Sequence, residues 1–156
     1  MATPLETCAR ELLDTMPLVM QDLRLIMRGQ SAPDLRVPEL RCLAFLQHNP
    51  GSNLTDLAEY IGVSLPSMSK LIDSLTSRGY VERATDAGDR RRVQLRLTED
   101  GDAILSAARD AVKAAFALKL APLASGEIEA VTSGLRLLHR LFAGIADGDA
   151  PIAARS

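Results

Sequence analysis

Residues 53–98 read NLTDLAEYIGVSLPSMSKLIDSLTSRGYVERATDAGDRRRVQLRLT, and this stretch decides the fold. Its first part predicts a short helix that begins after Asn53, a residue type that caps the amide end of helices. Gly62 stands where a helix commonly ends in a left-handed residue, and Ser64 is a candidate N-cap for a second helix. The pattern therefore predicts two short helices joined by a tight turn.

The second predicted helix, residues 64–78, has two distinct faces. At about 100° per residue, its large apolar residues share one side and should face a core; they are Leu65, Met68, Leu71, Ile72 and Leu75. The other side carries short hydroxyl side chains and a lysine, which permit close approach to base edges and phosphates. An ordinary solvated surface is the alternative. We expect DNA contacts from Ser64, Pro66, Ser67, Ser69, Lys70 and Ser74.

A basic, strand-forming segment follows this helix. Residues 80–83 and 92–97 alternate between apolar and polar types, which predicts two strands joined by a polar turn. Residues 64–98 hold seven Lys/Arg against four Asp/Glu, a net charge of +3, whereas the whole chain carries −2. Such segregation of positive charge is typical of a phosphate-binding surface. We expect this surface to include Arg83, Asp89, Arg90, Arg91 and Arg92.

A series of short motifs in this region resembles the winged helix-turn-helix of MarR-type transcriptional regulators. The motifs are Leu75-x-x-Arg78-Gly79-Tyr80-Val81-x-Arg83, then Asp89-x-Arg91, then Leu97-Thr98-x-x-Gly101. The resemblance covers nearly the full length and implies a mainly α fold, with about six helices and a small two-stranded β-wing. It implies that residues 64–78 form the recognition helix, that Arg91 enters the minor groove, and that Asp89 steadies it. Lys70 stands where arginine is usual.

The chain is expected to divide into four segments. These are an N-terminal dimerisation region at 1–36, a winged helix-turn-helix at 37–98, C-terminal dimerisation helices at 99–146 and a flexible tail at 147–156. The first helix contains Pro17, which predicts a kink or a fresh start near Thr15. Thr98 is expected to cap a long helix and Ser125 to cap the last one, whereas Pro38 should open the helix before residue 49.

The last helix has an apolar face that spans about half of its circumference, wider than the ~100° stripe of a surface helix. Burial within one chain would explain the width, but both ends of the chain lie outside the winged-helix core and need apolar partners. We therefore favour a helical homodimer interface built from both ends. It should contain Leu12, Leu13, Ile128, Val131, Leu135, Leu138 and Phe142.

Catalytic and metal-binding motifs are lacking, so we expect neither an enzyme nor a cofactor. His48 and His139 do not lie in any motif with metal-ligand spacing. Cys42 lies between leucines and should pack in the core as a small hydrophobe. Cys8 lies in the first helix, where peroxide-sensing members of the family place a reactive cysteine, so a redox-sensing regulator is one alternative.

These observations favour a homodimeric, sequence-specific DNA-binding regulator that acts as a repressor on a pseudo-palindromic operator. The resemblance implies a ligand pocket where the dimer helices meet the DNA-binding lobe, for a small apolar or phenolic compound. The rival hypothesis from another class is a winged-helix module that binds proteins and no DNA. No apolar run reaches the roughly 20 residues of a membrane span and no signal peptide opens the chain, so we expect a cytoplasmic protein.

Overall fold

The computed structural model describes residues 3–29, 33–85, 88–89 and 93–146, excluding the side chains of 144–146. This part of the chain forms six helices and one two-stranded antiparallel sheet, which confirms the predicted mainly α fold with a β-wing. The predicted tail at 147–156 lies outside the described residues. The elements in chain order are α1 Pro4–Arg28, α2 Val37–His48, α3 Leu54–Ile61, α4 Leu65–Ser77, β1 Val81–Thr85, β2 Val93–Leu97, α5 Glu99–Leu120 and α6 Ser125–Ala146.

The described residues up to Ala115 form one compact unit, and those from Phe116 onward form a second. The core of the first unit is contributed by α2, α3, α4, both strands and the first half of α5, together with Met27 near the end of α1 and Leu35 after it. In the part of the chain described, no helix is long and apolar enough to cross a membrane. The fully buried side chains of the core include Leu35, Leu43, Leu46, Leu57, Met68, Ile72, Leu75, Leu95 and Leu105.

The turn between α3 and α4 forms as predicted. Asn53 Oδ1 accepts a hydrogen bond from the Asp56 amide at 2.9 Å, which closes the start of α3. Gly62 ends α3 with φ of 80°, a left-handed conformation that only glycine adopts without steric cost. Ser64 then takes the N-cap position of α4. Local side-chain chemistry therefore suffices to set both helix boundaries.

Two other helix starts differ from the sequence-based predictions, and α1 lacks the fresh start that was one of the two alternatives for it. The helix α1 runs without a fresh start through Pro17, from a cap formed by Thr3. The helix α2 begins one residue early, because Glu39 Oε2 accepts a hydrogen bond from the Arg36 amide at 2.7 Å. Ser125 is the first residue of α6 rather than its cap, since the preceding amide, that of Ala124, donates to Glu127 Oε2 at 2.8 Å.

The junction between the wing and α5 explains one of the short motifs. Thr98 Oγ1 donates to the Gly79 carbonyl at 2.6 Å and accepts from the Gly101 amide at 3.0 Å. Gly101 is buried, and a Cβ built on it would lie 2.1 Å from the Tyr80 carbonyl oxygen. The spacing Leu97-Thr98-x-x-Gly101 therefore caps α5 and lets it approach the chain at the start of β1.

The two strands of the wing are paired along their whole length, and β2 has a further contact at its middle. Five residue pairs join β1 to β2, from Val81 opposite Leu97 to Thr85 opposite Val93. At the middle of β2, the Leu95 amide donates to the Ser52 carbonyl at 2.8 Å, and the Gly51 amide donates to the Leu95 carbonyl at 3.0 Å. The turn before α3 thus acts as a short third strand.

Candidate nucleic-acid interface

The N-terminal turn of α4 is fixed by a pair of serines. Ser64 Oγ accepts a hydrogen bond from the Ser67 amide at 3.3 Å. The Ser64 hydroxyl also donates to Ser67 Oγ at 2.9 Å. Both serines were predicted to contact DNA, and here both hydroxyls also serve the helix start. The turn is consequently ordered before any partner binds.

The two faces of α4 separate as the sequence predicted, with one exception. Met68, Ile72 and Leu75 are fully buried, and Leu71 is half-buried against the same core. Leu65 was expected among them but is 48% exposed, because the core side of the helix begins only at its second turn. Of the residues expected to meet DNA, Ser64, Pro66, Ser67 and Lys70 are exposed, and Ser69 and Ser74 are half-buried.

The C-terminal end of α4 is held by Arg78, which the sequence analysis placed in a family motif without assigning it a role. Its guanidinium donates to the Asp34 carbonyl, and its Nη1 lies 3.5 Å from Glu39 Oε1. Its Cζ atom also lies over the Tyr80 ring, 5.0 Å from the ring centroid. Glu39 is only 2% exposed and is also paired with Arg36, whose Nη2 lies 3.1 Å from Glu39 Oε1. This cluster ties the end of α4 to the beginning of α2.

The buried charge of Glu39 could not be recognised from the sequence. A glutamate in the first turn of a helix is usually an exposed residue that favours the positive end of the helix dipole. Here its carboxylate also satisfies the Arg36 amide and faces two guanidinium groups, so its burial is compensated. The only available signal was its place directly after Pro38, the expected start of the helix.

Arg83 on β1 is engaged within the chain. Its Nη2 lies 2.5 Å from Asp73 Oδ1 on the exposed side of α4, and both side chains remain accessible to solvent. The pair links the wing to α4 and partly neutralises the charge that Arg83 was expected to offer to phosphates. Asp89 is exposed, and the predicted wing-tip residues Arg90, Arg91 and Arg92 lie outside the described residues.

Comparisons with known proteins agree with this arrangement. Residues 33–92 match the MarR family. An HTH-type transcriptional regulator of Bacillus subtilis strain 168, the uncharacterized protein YfiV, is 31% identical over 107 residues. The match covers 69% of this chain and 67% of that protein. This chain belongs to the MarR family. MarR-family proteins are transcriptional regulators and not enzymes.

Solved structures share the MarR fold over most of the chain. A mutant of MarR from E. coli has a TM-score of 0.74 at 20% identity, covering 88% of this chain and 98% of its own. RV1404 from Mycobacterium tuberculosis has a TM-score of 0.74 at 18% identity, and the match covers 97% of this chain and 99% of RV1404. At these identities the likeness establishes the fold alone.

The residues predicted for a MarR-type dimer interface are largely unburied in the single chain. Leu13 on α1 is 72% exposed and Leu135 on α6 is 59% exposed, whereas Leu12 and Leu138 are half-buried. No described side chain of α6 is buried, so the wide apolar face of this helix is not explained by burial within one chain. The remaining predicted interface residues, all exposed, are Ile128, Val131 and Phe142.

The cysteines and histidines of this MarR-family chain occupy separate surroundings. Cys42 is fully buried beside Met68, with 3.9 Å between the two sulfur atoms, and burial raises the pKa of its thiol to about 12. Cys8 is exposed on α1. His48 Nδ1 lies 2.9 Å from the Ala44 carbonyl oxygen, and His139 is exposed. Among the described residues, no group of three or more His, Cys, Asp or Glu could hold a metal.

Proposed function

We propose that this MarR-family protein binds double-stranded DNA in a sequence-specific way and acts as a homodimeric repressor on a pseudo-palindromic operator. The observation that carries the proposal is the exposed side of α4. It presents short polar side chains and Lys70 on a helix that is capped by Ser64 and held at its other end by Arg78. A rigid helix with such a face suits the major groove.

The charge distribution supports the same partner. The net charge of +3 over residues 64–98 contrasts with −2 for the whole chain. Within the proposal, Arg90, Arg91 and Arg92 at the wing tip meet the DNA backbone, and Arg91 enters the flanking minor groove with Asp89 nearby. A guanidinium gains there from the enhanced negative potential of A·T-rich steps.

Homodimerisation would give the exposed apolar side chains of the terminal helices a partner. Large hydrophobic residues that are more than 40% exposed lie on α1, the end of α5 and α6. Large apolar side chains that recur along one exposed face of a helix, as on α6, suit an interface with a second protein surface. A dimer of this chain would also supply the second recognition helix that a pseudo-palindrome requires.

A cavity between α1 and α2 is our candidate for the effector site. It has a volume of about 640 Å³, and its lining combines apolar side chains, including Met27 and Val37, with three arginines and Asp34. Arg24, Arg28 and Arg36 favour a ligand with a negatively charged group on an apolar body, which narrows the apolar or phenolic class expected from the sequence. Asp34 and Arg36 also belong to the cluster around Arg78, so a ligand there would touch the support of α4.

DNA binding can be tested by fluorescence anisotropy on a duplex operator selected from random sequences with the full-length protein. With six to ten phosphate contacts per dimer, log affinity should fall against log salt with a slope of about −5 to −9. Lys70→Ala should make that slope shallower by about 1 for each phosphate that the lysine neutralises. Failure to select any duplex, or a flat salt dependence, would favour the protein-binding alternative.

The wing assignment has its own test. Arg91→Ala should weaken binding by about 1–3 kcal/mol per subunit, most strongly on operators with A·T-rich flanks. Arg10→Ala is the matched control, because it also removes one arginine, here an exposed one on α1. This variant should bind both kinds of operator as the unmutated protein does. Equal affinity of the Arg91 variant and the unmutated protein for both kinds of flank would contradict the role of the wing.

The effector site can be tested by thermal unfolding in the presence of benzoate or of phenol at equal concentration. A ligand that binds only the folded state stabilises it by mass action. Benzoate should raise the midpoint temperature of unfolding more than phenol does, because only benzoate carries a negative charge for the arginines. Arg24→Ala should reduce the difference between the two ligands. A larger shift with phenol would instead support the uncharged ligand predicted from the sequence.

A further inference from the structure

Two exposed apolar side chains flank the N-cap of α4. Val63 is 38% exposed and Leu65 is 48% exposed, with Ser64 between them. The next exposed residues along the helix, Pro66, Ser67 and Lys70, carry no branched aliphatic side chain. The N-terminal end of α4 therefore presents apolar side chains to solvent, and the exposed polar side chains follow along the helix.

Leu65 lies on the core side of α4 but before the first core residue. At about 100° per residue, it lies roughly 20° around the helix from Ile72 and 60° from Met68, both of which are fully buried. It is exposed because it stands one turn before Met68, at the N-terminal end of the helix. Since Cα–Cβ bonds tilt toward the N-terminus of a helix, its side chain projects at this end, where a recognition helix meets base edges.

The position of Leu65 is fixed before binding. It is the first residue of α4, directly after the cap in which Ser64 holds Ser67. A leucine loses less side-chain entropy on being immobilised than a lysine or arginine does. An apolar contact from this turn would therefore form at a low entropic cost.

We infer that Leu65 contacts the C5-methyl group of a thymine in the major groove. This inference rests on the proposed DNA-binding function. The N-terminal residues of a recognition helix contact base edges, and thymine alone presents a methyl group on the major-groove edge. The side chain thus selects thymine over cytosine at one position of each half-site.

Deoxyuridine provides the test, because it differs from thymidine only by the missing methyl group. Each thymine pair of the selected operator is replaced in turn, symmetrically in both half-sites, and affinity is measured by anisotropy at one salt concentration. At one position the replacement should weaken the unmutated protein by about four-fold per half-site, the value of one buried methyl. Leu65→Ala should bind the thymine and deoxyuridine operators equally, with a melting temperature unchanged because the residue is exposed.

Two variants serve as controls for the assignment. Lys70→Ala and Val63→Ala should both retain the full penalty for deoxyuridine. A penalty that persists in Leu65→Ala, or that disappears in Val63→Ala, would overturn the assignment to Leu65. Equal binding of thymine and deoxyuridine operators by the unmutated protein would overturn the inference and leave DNA binding intact, whereas failure to select an operator would overturn both.

Discussion

Gly101 is the residue at which a single added methyl group should do most harm. Its Cβ would lie 2.1 Å from a backbone oxygen, that of Tyr80, which no side-chain rotation can relieve. Gly101→Ala should lower the free energy of unfolding by about 1–3 kcal/mol, the usual cost of overpacking. Urea-induced unfolding followed by circular dichroism measures this loss.

Gly126 is the matched control, because nothing lies within 4 Å of the Cβ that alanine would add there. Gly126→Ala should leave stability unchanged or raise it by about 0.5–1 kcal/mol, as alanine favours the helix. Equal losses in the two variants would refute the close approach of α5 to the chain before β1.

The two cysteines should differ in their reactivity. Burial raises the pKa of the Cys42 thiol to about 12, whereas Cys8 is exposed. A disulfide reagent at pH 8 should therefore label one thiol per native chain and two after unfolding. Because the folded pKa lies above the ordinary value of 9.0, the associated stability is present below pH 9 and is lost as the pH rises towards 12. Rapid labelling of both thiols in the native protein would contradict this.

At the scale of elements, Arg78 joins the C-terminal end of α4 to the beginning of α2. Arg78→Ala removes its pairing with the buried Glu39 and its bond to the Asp34 carbonyl. The variant should be less stable by about 1–3 kcal/mol, because a buried carboxylate is deprived of one of its partners. Urea-induced unfolding again supplies the measurement.

Arg83→Ala gives the comparison for Arg78, since it removes an ion pair in which both side chains are exposed. The Arg83–Asp73 pair is exposed on both sides, so its removal should cost only about 0–1 kcal/mol. If Arg83→Ala proved the more destabilising of the two, the Glu39 cluster would not be the main support of α4.

Elements with local causes were predictable, and those set by tertiary packing were not. Asn53, Gly62 and Ser64 fix the two helices of the DNA-binding motif through contacts within three or four residues. Leu65 was misassigned because helical periodicity does not show where the core begins along a helix. The burial of Glu39 depends on Arg78, 39 positions away in the chain, and no local pattern reports such a pair.

For the whole molecule, the apolar face of α6 carries the main prediction. Leu135→Glu places a charge among side chains expected to be covered by a second copy, so the variant should be monomeric and should bind the operator more weakly. Sedimentation velocity measures the assembly. Ser133→Glu lies about 140° from Ile128, on the opposite side of the helix, and should leave the assembly unchanged. A dimeric Leu135→Glu variant would place the interface elsewhere.

The contact between the middle of β2 and the turn before α3 determines which part of the wing should be most rigid. Hydrogen bonds between Leu95 and residues 51–52 make the inner half of β2 part of a three-stranded arrangement, whereas Val93 has only β1 beside it. The wing should therefore be more rigid at Leu95 than at Thr85 and Val93, the residues farthest from Thr98 in its two strands. Amide hydrogen exchange should show this as protection that is high at Gly51 and Leu95 and lower toward Thr85. If the wing enters a minor groove as proposed, its strand ends would adjust to grooves of different width without displacing α4.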